Sequence, residues 1–227
     1  ACRDDIKKTH CRKQTSDDRE IRLAQILICL QNVLHNGTKI EPDCEIEMDE
    51  HRKMLMEDFR LSPEIVNGCA KEIHDYCDGL EIGGKTIHCL MDHARLKHKK
   101  RISPICQRAL EDLVKETVVG EDWRVDPVLH EACNPVVRAM CKDVDGGNAR
   151  VLSCLMDNIG ADHMTEECED ALMQIQYFVA RNFKLDPQLY KACHDDATRL
   201  CHATRDWDNS NIDPSPDNAP LILPCLY

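Results

Sequence analysis

The sequence predicts an all-α protein, a tandem series of disulfide-stapled three-helix repeats forming an elongated array. Three observations carry this. A seventeen-residue phrase recurs as LSPEIVNGCAKEIHDYC from Leu61, VDPVLHEACNPVVRAMC from Val125 and LDPQLYKACHDDATRLC from Leu185, and self-similarity at a period of about sixty residues marks a repeat architecture. Fifteen cysteines stand beside three Phe, two Trp and four Tyr, so units of this size lack apolar bulk and need covalent staples. Apolar residues recur at helical spacing, and no stretch reads as a strand.

Labelling the cysteines of a unit a to d places Cys69, Cys77, Cys89 and Cys106 in the unit 61–124 and Cys133, Cys141, Cys154 and Cys168 in 125–184. Cys2, Cys11, Cys29 and Cys44 fall in 1–60, and Cys193, Cys201 and Cys225 in 185–227. Cys2 lacks the Leu-x-Pro preamble and the last unit ends after position c. Both terminal units are therefore expected to be truncated pieces of a longer array.

Each full unit carries three helical signals. The first helix opens at Ser62-Pro63, Asp126-Pro127 or Asp186-Pro187, where an N-cap oxygen accepts a backbone N–H and proline occupies the first turn without losing a bond. Ile65, Cys69, Ile73, Tyr76 and Cys77 then form one buried stripe. A shorter second helix holds c in TIHCLMD and VLSCLMD, and the third starts at Ser103-Pro104 or Thr165, just before d. Asp58-Phe59-Arg60-Leu61, Asp122-Trp123-Arg124-Val125 and Asn182-Phe183-Lys184-Leu185 recur at the junctions. The ring of each is expected to pack as core where two units meet.

Four cysteines admit three pairings. If the helices alternate in direction, b at the end of the first lies beside c near the start of the second. Position a, about 12 Å back along the first helix, then lies beside d. The expected nested pairs are Cys2 with Cys44, Cys11 with Cys29, Cys69 with Cys106, Cys77 with Cys89, Cys133 with Cys168, Cys141 with Cys154 and Cys201 with Cys225. Cys193 remains unpaired. Each closure removes on the order of 3 to 4 kcal/mol of unfolded-chain entropy, comparable to the whole stability of so small a unit.

Cysteine at this density belongs in an oxidising compartment. Asn36-Gly37-Thr38 is a glycosylation sequon, consistent with a lumenal or extracellular setting. No run of eighteen apolar residues and no signal peptide is present, so export is expected to be specified elsewhere. Residues 1–124 carry 21 basic and 24 acidic side chains, and residues 125–227 carry 8 and 17. This acidic half disfavours nucleic acid and favours basic partners, the alternative being an acidic surface that serves solubility alone.

Few catalytic signals are present. His88-Cys89, Cys193-His194 and Cys201-His202 invite a zinc reading, but Cys-x2-Cys spacing is absent, so no metal is expected. The same absence removes a thiol-disulfide redox pair. There is no Gly-x-Ser-x-Gly and no phosphate loop, and Gly83-Gly84 and Gly146-Gly147 read as turns. No enzyme activity and no cofactor are expected. Arg95, Lys97, Lys99, Lys100 and Arg101, with His93 and His98, form a basic connection. It is a candidate polyanion or sulfated-glycan site, a dibasic cleavage site, or a solvated loop. Eleven histidines admit a pH-dependent grip on a partner or simple surface scatter. TRDWDNSNIDPSPDNAP reads as an exposed loop whose Trp207 either docks a basic protein or folds onto the nearest helix.

Units built as Leu-x-Pro-x5-Cys-x7-Cys, then Cys-Leu-Met, then a fourth Cys, with HRKMLMEDFRLSPEI, HCLMD, LSCLMDNI and KLDPQLYKAC, resemble the family of cysteine-rich fibroblast growth factor receptor repeats. The resemblance covers nearly the whole chain. It implies a type I Golgi membrane protein, anchored by a segment outside this chain, whose lumenal array binds secreted growth factors and affects their trafficking. It also implies exposure at the cell surface or secretion after cleavage, and selectin recognition. It brings no catalytic or ligand-contact residues. A structural spacer displaying glycans or other repeats for adhesion is the alternative function.

Overall fold

The computed structural model describes residues 1–12, 22, 26–27, 29–31, 33–34, 37–80, 82–96, 101–144, 147, 149–181, 185, 187–201 and 225. Among the described residues every regular element is helical and no strand occurs. The first unit holds α1 (Arg3–Lys8), helical positions between 26 and 34, and α2 (Pro42–Glu57). A 3-10 turn, Phe59–Leu61, leads into α3 (Pro63–Gly68), α4 (Ala70–Tyr76), α5 (Lys85–Arg95) and α6 (Pro104–Thr117). A second such turn, Trp123–Val125, leads into α7 (Pro127–Met140), α8 (Arg150–Asp157) and α9 (Glu166–Arg181), and α10 (Pro187–Leu200) opens the last unit. The architecture is therefore a tandem series of helical, disulfide-bonded repeats.

Local chemistry explains most helix starts. Asp126 Oδ1 accepts from the N–H groups of Val128 and Leu129 at 3.0 Å, Ser103 Oγ accepts from Cys106 N at 3.3 Å, and Thr165 Oγ1 accepts from Cys168 N at 3.2 Å. Ser62 departs from the expectation. It occupies the N-cap position of α3 but its side chain makes no capping bond, so Pro63 alone supplies the start signal there.

The first helix of the unit 61–124 also departs from the predicted single helix, because it is interrupted at Cys69, where φ is −112° and ψ is 9°. The interruption lies where the chain passes against α6. A Cβ on Gly68 would lie 3.4 Å from Ile105 Cγ2, and Cys69 is bonded to Cys106 with the Cα atoms 4.6 Å apart. Backbone bonds Cys69 N to Ile65 O and Ile73 N to Cys69 O continue the helical course on either side. Of the predicted stripe, Ile65, Cys69 and Cys77 are buried and Ile73 and Tyr76 half-buried.

The core is one contiguous cluster running through the units. Ile87, Leu90 and Met91 of α5 meet Leu110, Leu113 and Val114 of α6, and all are buried. In the next unit Leu129 and Val136 of α7, Leu155 of α8, and Leu172, Ile175 and Phe178 of α9 play the same parts. Helix α9 packs across the unit boundary on α5 and α6, and α2 packs on α6. Helix α2 also reaches the Trp123–Val125 turn and α7. The first and third units thus touch, so the stack overlaps more than a simple end-to-end row.

Candidate functional site

Four inner and three outer sulfur bridges define the frame on which any binding surface is built. The a and d cysteines are joined as Cys2–Cys44, Cys69–Cys106 and Cys133–Cys168, with Cα separations of 4.5, 4.6 and 4.7 Å. The b and c cysteines are joined as Cys11–Cys29, Cys77–Cys89, Cys141–Cys154 and Cys201–Cys225, at 5.6, 6.0, 6.1 and 5.9 Å. The shorter spacing belongs to helices that cross in contact, the longer to a helix end facing the next helix. Cys193 is a free, half-buried thiol.

Between units the sequence Asp-aromatic-Arg folds into a self-clamped turn. Asp58 accepts from the backbone N–H of Arg60 at 3.1 Å and from its guanidinium at 2.7 and 2.6 Å. Asp122 repeats this with Arg124 at 3.0, 2.8 and 2.8 Å. The Arg60 hydrogen bond holds the Asp58 carboxyl below the ordinary carboxylate range. Burial pushes Asp122 up, and the Arg124 bonds outweigh it and hold it low as well. Between clamp residues the Trp123 ring is buried and lies 4.9 Å from the His130 ring, while Phe59 packs half-buried against the core.

A second seam contact repeats with the same geometry. The carbonyl of Glu57 accepts from Gly83 N and Gly84 N at 3.0 Å, and that of Glu121 accepts from Ala149 N at 3.1 Å. Gly84 and Ala149 both hold left-handed backbone, with φ of 81° and 58°. The start of each second helix thus docks on the end of the preceding third helix. Beside the first of these seams lies a cavity of about 220 Å³ lined by Phe59, Arg60, Leu80, Ile82 and Ile87, with Ile82 61% exposed. A cavity of about 160 Å³ lies between α8 and α9, lined by Leu152, Met156, Ile175 and Val179. Both linings mix polar with apolar groups, Glu57, Asp58 and Thr86 joining the first and Ser153, Asp157 and Gln176 the second.

The seam between 61–124 and 125–184 carries a buried polar bridge. His88 of α5 places Nε2 at 2.7 Å from Asp126 Oδ2 and Nδ1 at 2.5 Å from Gln174 Oε1 of α9. Burial opposes charge on this ring, but the Asp126 carboxylate and the two hydrogen bonds outweigh it and raise the His88 pKa above its ordinary value. At the other seam Glu116 of α6 is pushed up to about 7, first by burial and then by the charges of Glu64 and Asp112, with Arg52 opposing. Within the unit, Glu72 accepts from Ser103 N at 2.9 Å and ties α4 to the start of α6.

Other candidates from the sequence are placed as follows. Arg95 ends α5, 3.8 Å from Asp92, and Arg101 donates to Gln107 at 3.4 Å. Lys97, Lys99 and Lys100 lie outside the described residues, as do His98, Asn36, Trp207 and His202. Cys77, Cys89 and His93 have ligand atoms within 4.8 Å of one another. The two sulfurs are bonded to each other and so are not the thiolates zinc requires, and His93 stacks on Tyr76 at 4.6 Å. His194 lies 3.1 Å from Asp195.

Sequence reasoning treated His88 as a zinc candidate and missed its bridge. The available signal was the contrast between His88 and Ser153 at the same position of TIHCLMD and VLSCLMD. The Asp-Arg clamp has its own signal, the acidic and basic residues that flank Phe59 and Trp123.

A sequence profile described as cysteine rich repeat, of the cysteine-rich fibroblast growth factor receptor type, matches residues 42–98, 104–162 and 166–227. The chain belongs to the cysteine-rich repeat family. The windows matched by the cysteine-rich repeat profile begin at or near the third helix of a unit, so they are out of phase with units that start at Leu-x-Pro. The chain is 42% identical over 228 residues to Golgi apparatus protein 1 of Mus musculus and, equally, of Homo sapiens. It is 35% identical over 238 residues to the Golgi apparatus protein 1 homolog of Caenorhabditis elegans. Each alignment covers 100% of this chain but 19%, 19% and 21% of the relatives, so the chain spans about a fifth of their length. No solved structure matches. No helix among the described residues is long and apolar enough to cross a membrane.

Proposed function

We propose that this chain is a non-catalytic, lumenal binding segment of a Golgi membrane protein that captures secreted growth factors of the basic, fibroblast growth factor type and affects their trafficking. The observation that carries the reading is the likeness of the whole of this chain to about a fifth of Golgi apparatus protein 1, together with the cysteine-rich fibroblast growth factor receptor repeats. The units 1–60, 61–124, 125–184 and 185–227 act as rigid modules, and Asn36 carries a glycan on the same lumenal face of the membrane. Membrane attachment comes from a segment outside this chain.

Charge supports a basic ligand. Asp162, Glu166, Glu167 and Asp170 are exposed around the start of α9, within the half of the chain that holds 17 acidic and 8 basic side chains. A one-signed surface of this kind steers an oppositely charged partner and weakens with salt. The test measures binding of a purified basic fibroblast growth factor to this chain and to a variant with those four acids changed to lysine, at low and high salt. Salt-sensitive binding that falls about tenfold or more in the variant supports the reading. Binding unchanged by the reversal removes the acidic docking surface, and no binding at any salt leaves the spacer function, with Arg95 to Arg101 holding sulfated glycans.

A further inference from the structure

Both ring nitrogens of His88 face oxygen acceptors, Asp126 Oδ2 at 2.7 Å and Gln174 Oε1 at 2.5 Å. A neutral imidazole donates from one nitrogen only, so with Gln174 presenting its amide oxygen the ring is an imidazolium. The three partners lie on α5, at the cap of α7 and on α9, and Asp126 is fully buried while its other oxygen caps α7. The charge bearing on the ring is that of Asp126. Helix α9 brings the neutral Gln174, and its Arg181 lies 3.8 Å from Glu111 of α6.

The preceding seam holds an acid in the opposite predicament. Glu116 Oε1 is buried without a hydrogen-bond partner. The charges of Glu64 of α3, Asp112 of α6 itself and Arg52 of α2 bear on Glu116. Arg52 is buried and engaged by Asp49 and Gln31, with its Nε unpaired. A carboxyl with one oxygen buried and unpartnered, under the charge of two carboxylates, is more stable protonated.

We propose that the seams are acid-tightened joints, in which the His88–Asp126–Gln174 bridge and the Glu116 carboxyl among Glu64, Asp112 and Arg52 hold successive repeats together in mildly acidic solution and loosen them as it turns alkaline. Folded Glu116 keeps its proton to about pH 7 against an ordinary 4.5, so stability falls as pH climbs through that interval. The His88 contribution is complete below its ordinary 6.5 and is lost as pH rises through its raised folded value. Both effects have the same sign. The clamp aspartates, held low, respond only below about pH 4, outside this window.

The test is native-state hydrogen exchange on the whole chain at pH 5.5 and 8.0, corrected for intrinsic rates. Amides of α2 and α6, and of α5, α7 and α9, should lose about tenfold or more of their protection at the higher pH. In Glu116→Gln the dependence in α2 and α6 should vanish, with protection at pH 8.0 matching that of the wild type at 5.5. In His88→Asn the dependence in α5 and α9 should vanish. If that variant does not fold, nitrogen NMR of the wild-type ring decides, with both ring nitrogens protonated at pH 6.5 expected. A neutral ring accepting from the Gln174 amide, equal protection at both pH values, or wild-type behaviour in Glu116→Gln overturns the proposal.

Discussion

His88 and Asp126, 38 positions apart, meet at 2.7 Å across a unit boundary, and Asp126 uses its other oxygen to cap the helix that follows. One carboxylate therefore both starts α7 and fastens it to the preceding unit.

Substitutions at this residue should separate the two roles. Asp126→Asn keeps an oxygen for the cap but loses the charge, and should cost about 1 to 3 kcal/mol. Asp126→Ala loses both and should cost about 1 kcal/mol more. Hydrogen exchange of α7 amides measures each, because a multi-unit chain need not unfold in one step.

The bridges should differ in worth by loop length. Replacing Cys133 and Cys168 together by serine opens a closure of sequence separation 35, and the pair Cys141 and Cys154 one of 13. Chain entropy assigns these about 4 and about 3 kcal/mol. Thermal unfolding should show the larger loss for the first double variant.

Gly84 and Gly120 should resist alanine for different reasons. Gly84 has φ of 81° and an added Cβ would lie 3.1 Å from Met56 O and 3.2 Å from Pro127 Cγ. Left-handed backbone and crowding together should cost about 2 to 3 kcal/mol. At Gly120 the Cβ would lie 2.4 Å from Leu185 O, so the approach of α10 must shift. Denaturation midpoints should fall for both, and exchange protection in α10 should fall for Gly120→Ala alone.

Acid should weaken the junction turns. A carboxylate held low in the folded state contributes stability above its unfolded value, and that contribution disappears as pH falls through the folded value. Asp122 is clamped by Arg124, whose side chain is 55% exposed, so Asp122→Asn should cost no more than about 1 kcal/mol at neutral pH. The difference from wild type should close as pH falls below the ordinary aspartate value, as followed by circular dichroism.

Cys193 is the free thiol of the described residues. Thiol titration of the native chain should find one reactive group per chain, and Cys193→Ser should abolish it without altering thermal stability.

Much of this was legible because it depends on neighbours in sequence. Pro127 after Asp126 and Thr165 before Cys168 mark helix starts through bonds spanning two or three residues. The sixty-residue recurrence aligns Cys69 with Cys133 and Cys193 by inspection. Ser62 shows where local reading stops. It has the cap's residue type and position, but its side chain makes no capping bond, and the helix it begins is interrupted at Cys69, beside α6.

By itself the sequence determined the helical class, the repeat period and the register of cysteines, since each follows from local spacing and composition. Tertiary structure alone decided that His88 makes a buried bridge to Asp126 and Gln174, while Ser153, at the same position of the next unit, makes an exposed contact in which it accepts from Gln188 of α10 at 3.4 Å. It also decided that one oxygen of Glu116 is buried without a partner, and that α2 reaches past its neighbour to the Trp123 turn. These depend on which faces of distant helices come together, and burial gives an ionisable group its behaviour only after that packing has removed water from around it.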